Sequence, residues 1–336
     1  MNDYFGLDIG NSSIKIVQVA LKKPKPFLVA LSEFNIPFGL AESDSDADRK
    51  KLVGLIQQAI SQTQLKTRNV VSTISSNKIS SDIFQFPYMT NEELKFAMKY
   101  ELKYHIPDLK DDQVCDWHVL GRDIHGNLDI FVAAVSRHIS NKYSLVMKEA
   151  GLNPLAFDAE SLALAKILGE PQKNIVVIHG GAQYTLLLVL INGNLKMEHV
   201  VQTGGVVVTN NIAGSLNITK ENAELLKRKF GLEKSKLDGH IYNAIVRSLD
   251  PIVKELRSVM ESQQFKAQDF EEVVLSGGVA LTPQITDYLS QILLKKVVLA
   301  NPWKKIDCGD RPGEVIIPAA PKFSLAAGLA LSHYVI

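Results

Sequence analysis

The sequence predicts an α/β fold built from two related halves that face each other across a cleft. The first observation is size, because 336 residues, 46% of them hydrophobic, can bury two cores of ordinary domain size. The second is an internal repeat, since DYFGLDIGNSSIKIVQV at 3–19 aligns with NIVVIHGGAQYTLLLVL at 174–190 when Gly10 is placed over Gly181. The third is that each copy reads as two strands around a small-residue turn and continues into another strand, FLVALSEF or NLKMEHVV.

Composition and charge narrow the possible partners and the compartment. The net charge of +1 and the even spread of lysine and arginine exclude a strongly basic surface, so nucleic acid is not an expected partner. Cys115 and Cys308 have no C-x-x-C neighbour, which excludes a metal knuckle and favours a reducing cytoplasm. The N-terminus lacks a basic segment followed by an apolar one, and no window reaches about 18 apolar residues without a break. We therefore expect a soluble, cytoplasmic protein.

The region between the two repeats is predicted to hold a compact α+β insert at about 83–150. It begins with a helix opened by Thr90 and continues with two strands and a second helix. The acidic run AESDSDAD at 41–48, before the insert, is interpreted as a solvated loop. The second half is predicted to add amphipathic helices at 219–229 and about 242–264.

The first repeat carries side chains suited to binding phosphate. Asp8, Gly10, Ser12, Ser13 and Lys15 lie on a strand, a tight turn and the start of the next strand. Glycine lets the backbone approach a phosphate, N–H groups and hydroxyls donate hydrogen bonds to its oxygens, and Lys15 supplies a positive charge. Asp8 can hold a hydrated Mg²⁺, which keeps several waters and takes one or two carboxylates. In isolation, the same residues also fit a polar hairpin turn after a buried strand.

Three further pieces of sequence fit the same site. Glu224 and Lys227 stand at positions i and i+3 of one predicted helix and can face a common ligand. Gly277 and Gly278 directly follow an apolar strand, where a flat ring can rest against backbone. The segment FSLAAGLAL at 323–331 reads as a helix with small residues on one side, which allows close packing beside a cleft. Each piece alone is common in purely structural settings, but their order along one chain favours a nucleotide cleft.

The order of these motifs resembles the fold of actin, hexokinase and the heat-shock-chaperone ATPases. In that fold, residues 8–15 correspond to the first phosphate loop, 179–185 to the second and 275–279 to the adenosine loop, with connecting helices in 155–168 and 323–331. Within this superfamily the chain resembles the PilM family of type IV pilus assembly proteins over essentially its whole length. The most specific stretches are FPYMTNEELKFAMKYELKYHIP, YSLVMKEAGLNPLAFDAESLAL and GGVVVTNNIAGSLNITKENAELLK.

The resemblance implies an actin-like ATPase fold with defined boundaries and partners. Domain 1 would span 1–170 and contain the insert, domain 2 would span 171–317 with a smaller subdomain at about 213–269, and a terminal helix at 318–336 would return to domain 1. ATP would lie between the domains. The insert would help to grip the N-terminal cytoplasmic peptide of the membrane protein PilN, and an assembly ATPase or a platform protein is a further implied partner. The protein would reach the inner membrane only indirectly, through these partners.

The resemblance also implies roles for individual residues. It implies that the first phosphate loop, which contacts the phosphates of the nucleotide, is formed by Asp8, Gly10, Ser12, Ser13 and Lys15. It also implies that the adenosine is flanked by Glu224, Lys227, Gly277 and Gly278. The phosphate-two roles fall on Gly181 and Thr185. Glu160, in the first connecting helix, is a candidate for orienting the attacking water, with a charge on the helix surface as the alternative. Two positions depart from the family, because His179 stands where an aspartate is usual and KMEHVVQTGG lacks the arginine expected near 199–201.

His179 predicts a weakened metal site. Mg²⁺ prefers hard oxygen ligands, whereas imidazole suits Zn, Cu, Fe or Ni. ATP binding can persist through backbone N–H groups, Lys15 and Asp8, but hydrolysis needs a positioned metal and water and is expected to be slow or absent. The chain is then at most a weak ATPase. Two alternatives stay open: His179 is a satisfied core residue of a nucleotide-free pseudo-ATPase, or it is a cation that contacts the phosphates directly.

Three rival functions share this architecture. A sugar kinase or acetate-kinase-like enzyme needs a cluster of Asp, Asn and Glu for its substrate, and the sequence shows none. A cell-division filament protein like FtsA usually ends in a linker and an amphipathic membrane helix, whereas this sequence ends soon after its second connecting helix, which favours an adaptor. A platform component of a type II secretion-like system has similar architecture, and the sequence alone does not separate it from the pilus role.

Overall fold

Three sheets make up the β structure of the part of the chain that the computed structural model describes. The described residues are 3–20, 24–106, 109–123, 125–266, 268–310 and 313–332. Their strands are β1 (Phe5–Ile9), β2 (Ser13–Ala20), β3 (Phe27–Asn35), β4 (Asn69–Ile74), β5 (Ser80–Phe86), β6 (Gln113–Arg122), β7 (Leu128–Ser136), β8 (Asn153–Ala159), β9 (Ile175–Gly180), β10 (Thr185–Ile191), β11 (Asn194–Val201), β12 (Glu272–Gly277) and β13 (Val297–Leu299). Their helices are α1 (Asp46–Thr63), α2 (Asn91–His105), α3 (Arg137–Glu149), α4 (Glu160–Leu168), α5 (Gly205–Leu216), α6 (Lys220–Phe230), α7 (His240–Glu261), α8 (Ile285–Leu293), α9 (Gly313–Ile316) and α10 (Ala320–Ala330).

The two larger sheets have the same topology. The first has the order β3-β2-β1-β4-β8 and the second the order β11-β10-β9-β12-β13. In each, the first three strands form an antiparallel meander and the last two are added in parallel. The internal repeat seen in the sequence therefore builds two equivalent sheets.

Two helices lie between these sheets, and several other helices cover their outer faces. Successive strand residues point to opposite faces, so Ile175 and Val177 of β9 join the central core with α4 and α10, while Val176 and Ile178 join the core under α5, α7 and α8. On the first sheet, α1 and α3 cover the outer face. The result is a layered arrangement in which both inner faces pack on the same pair of helices.

The two central helices pack at very short range. A Cβ atom on Gly328 of α10 would clash with the carbonyl of Ala163 in α4, so only glycine fits there. This is the close packing that the small residues at 323–331 predict. The segment 155–168 is not helical throughout, because residues up to Ala159 extend β8 and the helix begins at Glu160.

The insert is a three-stranded sheet with the order β5-β7-β6, covered on its outer face by α2. The N-terminus of α2 is fixed by a capping box in which the Thr90 hydroxyl accepts from the Glu93 N–H and the Glu93 carboxylate accepts from the Thr90 N–H. The last helix of the predicted insert, α3, packs its Val146 and Met147 into the core of the first domain. The inner face of the insert sheet packs on the body of the protein through Phe131 of β7.

Among the residues that the structure describes, there is no helix whose length and apolarity would let it cross a membrane.

Candidate functional site

The two predicted phosphate turns have the same backbone geometry. In the first, the Gly10 N–H donates to the Ser13 carbonyl at 3.0 Å; in the second, the Gly181 N–H donates to the Tyr184 carbonyl at 3.0 Å. Each turn joins the two antiparallel strands at the start of its meander, β1 to β2 and β9 to β10. The repeat is thus preserved down to individual hydrogen bonds.

Asp8 and Lys15 are paired next to the first turn. They are direct cross-strand neighbours on β1 and β2, and the Lys15 Nζ lies 3.3 Å from an Asp8 carboxylate oxygen. Both side chains are mostly buried, at 11% and 13% exposure. Of the two serines predicted to help, Ser12 is exposed at the tip of the turn and Ser13 is buried at the start of β2. Asp8 and Lys15 therefore form a mostly buried ion pair beside this turn.

His179 is a buried, neutral residue. Its Nδ1 lies 3.0 Å from the Ser276 Oγ, and that hydroxyl in turn donates to the Pro321 carbonyl at 3.2 Å. Because the single hydroxyl proton goes to a carbonyl, we assign the Nδ1–H as the donor to Ser276, which leaves Nε2 as an acceptor. Burial lowers the pKa of His179 to about 4, against the opposing effect of the Asp8 carboxylate. The alternative of a cationic His179 in direct contact with phosphate does not fit this environment.

Glu160 and Tyr184 connect the two halves of the molecule. One Glu160 carboxylate oxygen accepts from the Tyr184 hydroxyl at 2.6 Å and from the Ser76 N–H at 3.2 Å. Burial raises the pKa of Glu160 to about 7, with the Asp8 charge acting in the same direction. The interpretation of Glu160 as a helix-surface charge is wrong, since the residue is only 6% exposed. Its role in orienting water stays a prediction.

Tyr184 was missed as a site residue by sequence reasoning. It stands in the second turn where the first has Ser13, so the aligned repeats offered a signal: an aromatic ring in place of a small hydroxyl residue.

Glu42 lies between the two turns. Its two carboxylate oxygens accept from the Asn11 Nδ2 at 3.1 Å and from the Gln183 Nε2 at 2.9 Å, so the carboxylate connects the first turn to the second. The Lys78 ammonium is 3.9 Å away. The Lys142 ammonium anchors the backbone of this segment by donating to the Glu42 carbonyl at 2.9 Å.

The prediction of a solvated loop at 41–48 is therefore wrong at both ends, since residues 46–48 begin α1. Ala41 is buried and the Glu42 side chain is only 25% exposed, because the segment folds over the two turns. A negative charge of the protein itself occupies a position beside both predicted phosphate loops.

Glu224 and Lys227 form a closed polar network with α5. The Lys227 Nζ lies 2.5 Å from the Glu224 carboxylate and donates to the Thr209 hydroxyl at 2.9 Å and the Gly205 carbonyl at 3.1 Å. Burial alone would raise the pKa of Glu224, but hydrogen bonds from Lys227, Thr209 and Arg228 outweigh it and lower the pKa to about 2. The pair thus shares one face of α6, as the i and i+3 spacing indicates, and that face meets α5.

The glycine pair after β12 lies against the second turn. Gly277 has a positive φ of 81° and pairs with Gly180, and a Cβ atom there would clash with the Gly180 carbonyl. Gly278 has no atom within 4 Å of the position that a Cβ would take, so its surface is open. Thr185 is fully buried and its hydroxyl donates to the Thr203 carbonyl at 2.8 Å. The structure therefore brings the second turn, the glycine pair and α5 together, with Thr185 turned into the protein.

The donors near the first turn do not form a metal centre by themselves. Among the described residues, there is no group of three or more histidine, cysteine, aspartate or glutamate side chains arranged to hold a metal ion. The Asp8 carboxylate is the predicted hard ligand for Mg²⁺, but it is paired with Lys15. The neutral His179 is a poor ligand for this ion. These residues fit a nucleotide better than a tightly held Mg²⁺.

Comparison with known proteins agrees with this architecture. A family profile described as "Type IV pilus assembly protein PilM" matches residues 6–334. A chain of the solved "PilM-PilN type IV pilus biogenesis complex" is 27% identical, with 98% of both chains covered and a TM-score of 0.84. The structure of MreB5 of Spiroplasma citri bound to ADP is 14% identical, with 99% of this chain and 96% of that one covered and a TM-score of 0.56. The cell division protein FtsA of Enterococcus faecalis is 24% identical over 89% of this chain and 78% of its own length. These similarities confirm the predicted actin-like ATPase fold, and the chain belongs to the PilM family of type IV pilus assembly proteins.

Proposed function

We propose that this chain is a cytoplasmic adaptor of the type IV pilus assembly platform that binds the N-terminal cytoplasmic peptide of a PilN-like membrane protein. The observation that carries the proposal is the 27% identity over 98% of both chains with a chain of the PilM–PilN complex. An assembly ATPase or another platform protein is a further partner consistent with this role. The adaptor reaches the inner membrane by holding a partner that is anchored there.

ATP is the ligand that suits the cleft between the sheets. Lys15 supplies an ammonium group beside the first turn and Gly278 supplies an open backbone surface, which match a phosphate and a base. The neutral His179 and the paired Asp8 disfavour a firmly bound Mg²⁺. We therefore expect ATP to act as a structural ligand that is hydrolysed slowly or not at all.

The insert, which we expect to bind the partner peptide, contacts both halves of the molecule. On its inner face, Asp129 forms an ion pair with Lys196 of β11, and Ser81 forms a hydrogen bond with Glu198 of the same strand. The insert therefore contacts the second domain as well as the first, to which the chain connects it on both sides. A peptide gripped by the insert would then be sensitive to how the two domains are held together by nucleotide.

A pull-down of the full chain by the partner peptide tests the adaptor role. The N-terminal cytoplasmic peptide of a PilN-like protein from the same organism is immobilised, and a scrambled peptide of the same composition is the control. We expect saturable binding to the native peptide alone. Equal retention on both peptides, or on neither, would remove the adaptor proposal.

A further inference from the structure

Helix α2 carries a row of exposed aromatic rings on its outer face. Phe96, Tyr100 and Tyr104 are 64%, 61% and 80% exposed. They are spaced four residues apart, so they lie on one side of the helix. The rings of Phe96 and Tyr100 are in contact, with centroids 5.6 Å apart. Exposed aromatic residues so arranged form a patch that water solvates poorly.

A lysine precedes each of these rings. Lys95, Lys99 and Lys103 are all exposed, and none of them forms an ion pair with a residue that the structure describes. The three ammonium groups run alongside the three rings with the same spacing. We name these six side chains the basic–aromatic stripe.

The stripe is held rigidly at the outside of the insert. Leu94 and Met98, on the opposite side of α2, are each 1% exposed in the core of the insert. The sheet under α2 packs its other face on the body of the protein through Phe131. The order is therefore body, sheet, helix and then stripe, so the stripe faces away from the nucleotide cleft.

We propose that the basic–aromatic stripe binds the surface of an anionic lipid bilayer. Aromatic rings are favoured at the level of lipid headgroups, and lysines beside them can reach the phosphates. The three lysines outnumber the two exposed glutamates on the same side of α2, Glu92 and Glu93 in its first turn, so this side of the helix carries a net positive charge complementary to an anionic surface. The same stripe on a second copy of this chain is a disfavoured partner, because pairing the two stripes would bring two rows of lysines together. This inference is independent of the proposed nucleotide and peptide binding.

The geometry of a single exposed helix also favours a flat partner. The stripe runs along one convex face of α2, from which the three rings and the three lysines project. Three rings bury too little apolar surface for permanent anchoring, so the contact is reversible and is strengthened when another interaction already holds the protein near a membrane.

Sedimentation of the full chain with vesicles tests the proposal. Vesicles of phosphatidylcholine alone are compared with vesicles that also contain phosphatidylglycerol, at low and at high salt. Each lysine near an anionic surface contributes about a fivefold gain in binding, so the variant Lys95→Gln, Lys99→Gln, Lys103→Gln should bind about a hundredfold more weakly. Binding of the wild type should require phosphatidylglycerol and should fall with salt.

A variant of the rings distinguishes headgroup insertion from simple charge attraction. Phe96→Gln, Tyr100→Gln, Tyr104→Gln keeps all three lysines and the helical propensity, and it should also weaken binding to the anionic vesicles. Unchanged binding of this variant would overturn the assigned role of the rings and, with it, the proposal.

A matched control removes three lysines elsewhere. Lys50, Lys51 and Lys220 are exposed and lie outside the insert, so Lys50→Gln, Lys51→Gln, Lys220→Gln changes the net charge equally. This control should bind nearly as well as the wild type. Loss of binding equal to that of the stripe variant would overturn the assignment to α2. Failure of the wild type to bind anionic vesicles would do the same, even if the stripe binds a protein.

Discussion

Removing the charge of Glu42 should strengthen nucleotide binding. Its carboxylate lies between the two turns and accepts hydrogen bonds from Asn11 and Gln183, so an incoming phosphate meets a negative charge of the protein. Glu42→Gln keeps the size of the side chain and one carbonyl acceptor but removes that charge. The substitution therefore tests the effect of one negative charge beside the two turns.

The size of the effect follows from Coulomb's law. A carboxylate and a phosphate at about 6–8 Å, with an effective dielectric constant of about 20–40, repel each other by about 1–3 kcal/mol. This corresponds to a gain in affinity of about fivefold to a hundredfold for Glu42→Gln. In the absence of nucleotide, the same variant should be slightly less stable, because charge-assisted hydrogen bonds between the turns become neutral ones.

Fluorescence titration with a labelled ATP analogue measures this affinity. Glu101→Gln is the matched control, because Glu101 is a half-buried glutamate of the insert with 31% side-chain exposure, close to the 25% of Glu42. The control should bind nucleotide as the wild type does. An unchanged or reduced affinity of Glu42→Gln, with wild-type binding measurable, would refute the idea that this carboxylate opposes phosphate.

Three other substitutions test the remaining parts of the site. Lys15→Gln should lower ATP affinity about tenfold or more and also destabilise the fold, since Asp8 loses its buried partner; equal affinity in the same titration would contradict the assigned role. His179→Asp should introduce Mg²⁺-dependent release of phosphate from ATP. Hydrolysis no faster than in the wild type would show that His179 is not what weakens the metal site. Glu160→Gln should become more stable relative to the wild type as pH rises. The pKa of Glu160 is about 7 in the folded protein against 4.5 for the unfolded chain, so the protonated carboxyl stabilises the wild-type fold fully below pH 4.5, and this contribution is lost as pH rises through 7. Urea unfolding at pH 5 and pH 8 should show this relative gain growing by about 2–3 kcal/mol, and a pH-independent difference would contradict the shift.

The fold could be predicted because the repeat has a local signal. Alternation of apolar residues and a glycine turn occur twice in the same order, and each copy sets its own meander through neighbouring strands. Pairing of Asp8 with Lys15 also follows from this local pattern, because the two residues are opposite each other across a short hairpin.

The contacts of Glu42 and Tyr184 could not be predicted in the same way. Their partners are far away in sequence, and each contact exists only after the two domains have packed. An acidic, serine-rich segment usually stays in water, and nothing in its composition shows that Glu42 will meet Gln183.

Glu160 shows a different limit. Its helix, ESLALAKIL, is apolar on most sides, and a helix of this kind is buried between layers, so its first residue is buried with it. The helix-surface interpretation rested on residue type and overlooked that pattern. The pattern of the whole helix, rather than the charge of one residue, was the informative signal.

Calorimetric titration of the full chain with ATP, in excess Mg²⁺ and in a chelator, tests the central claim most directly. The claim is that the cleft holds nucleotide as a structural ligand without relying on a metal. We expect saturable binding with similar affinity in both conditions. Absence of binding in both conditions, or binding only with Mg²⁺, would contradict it.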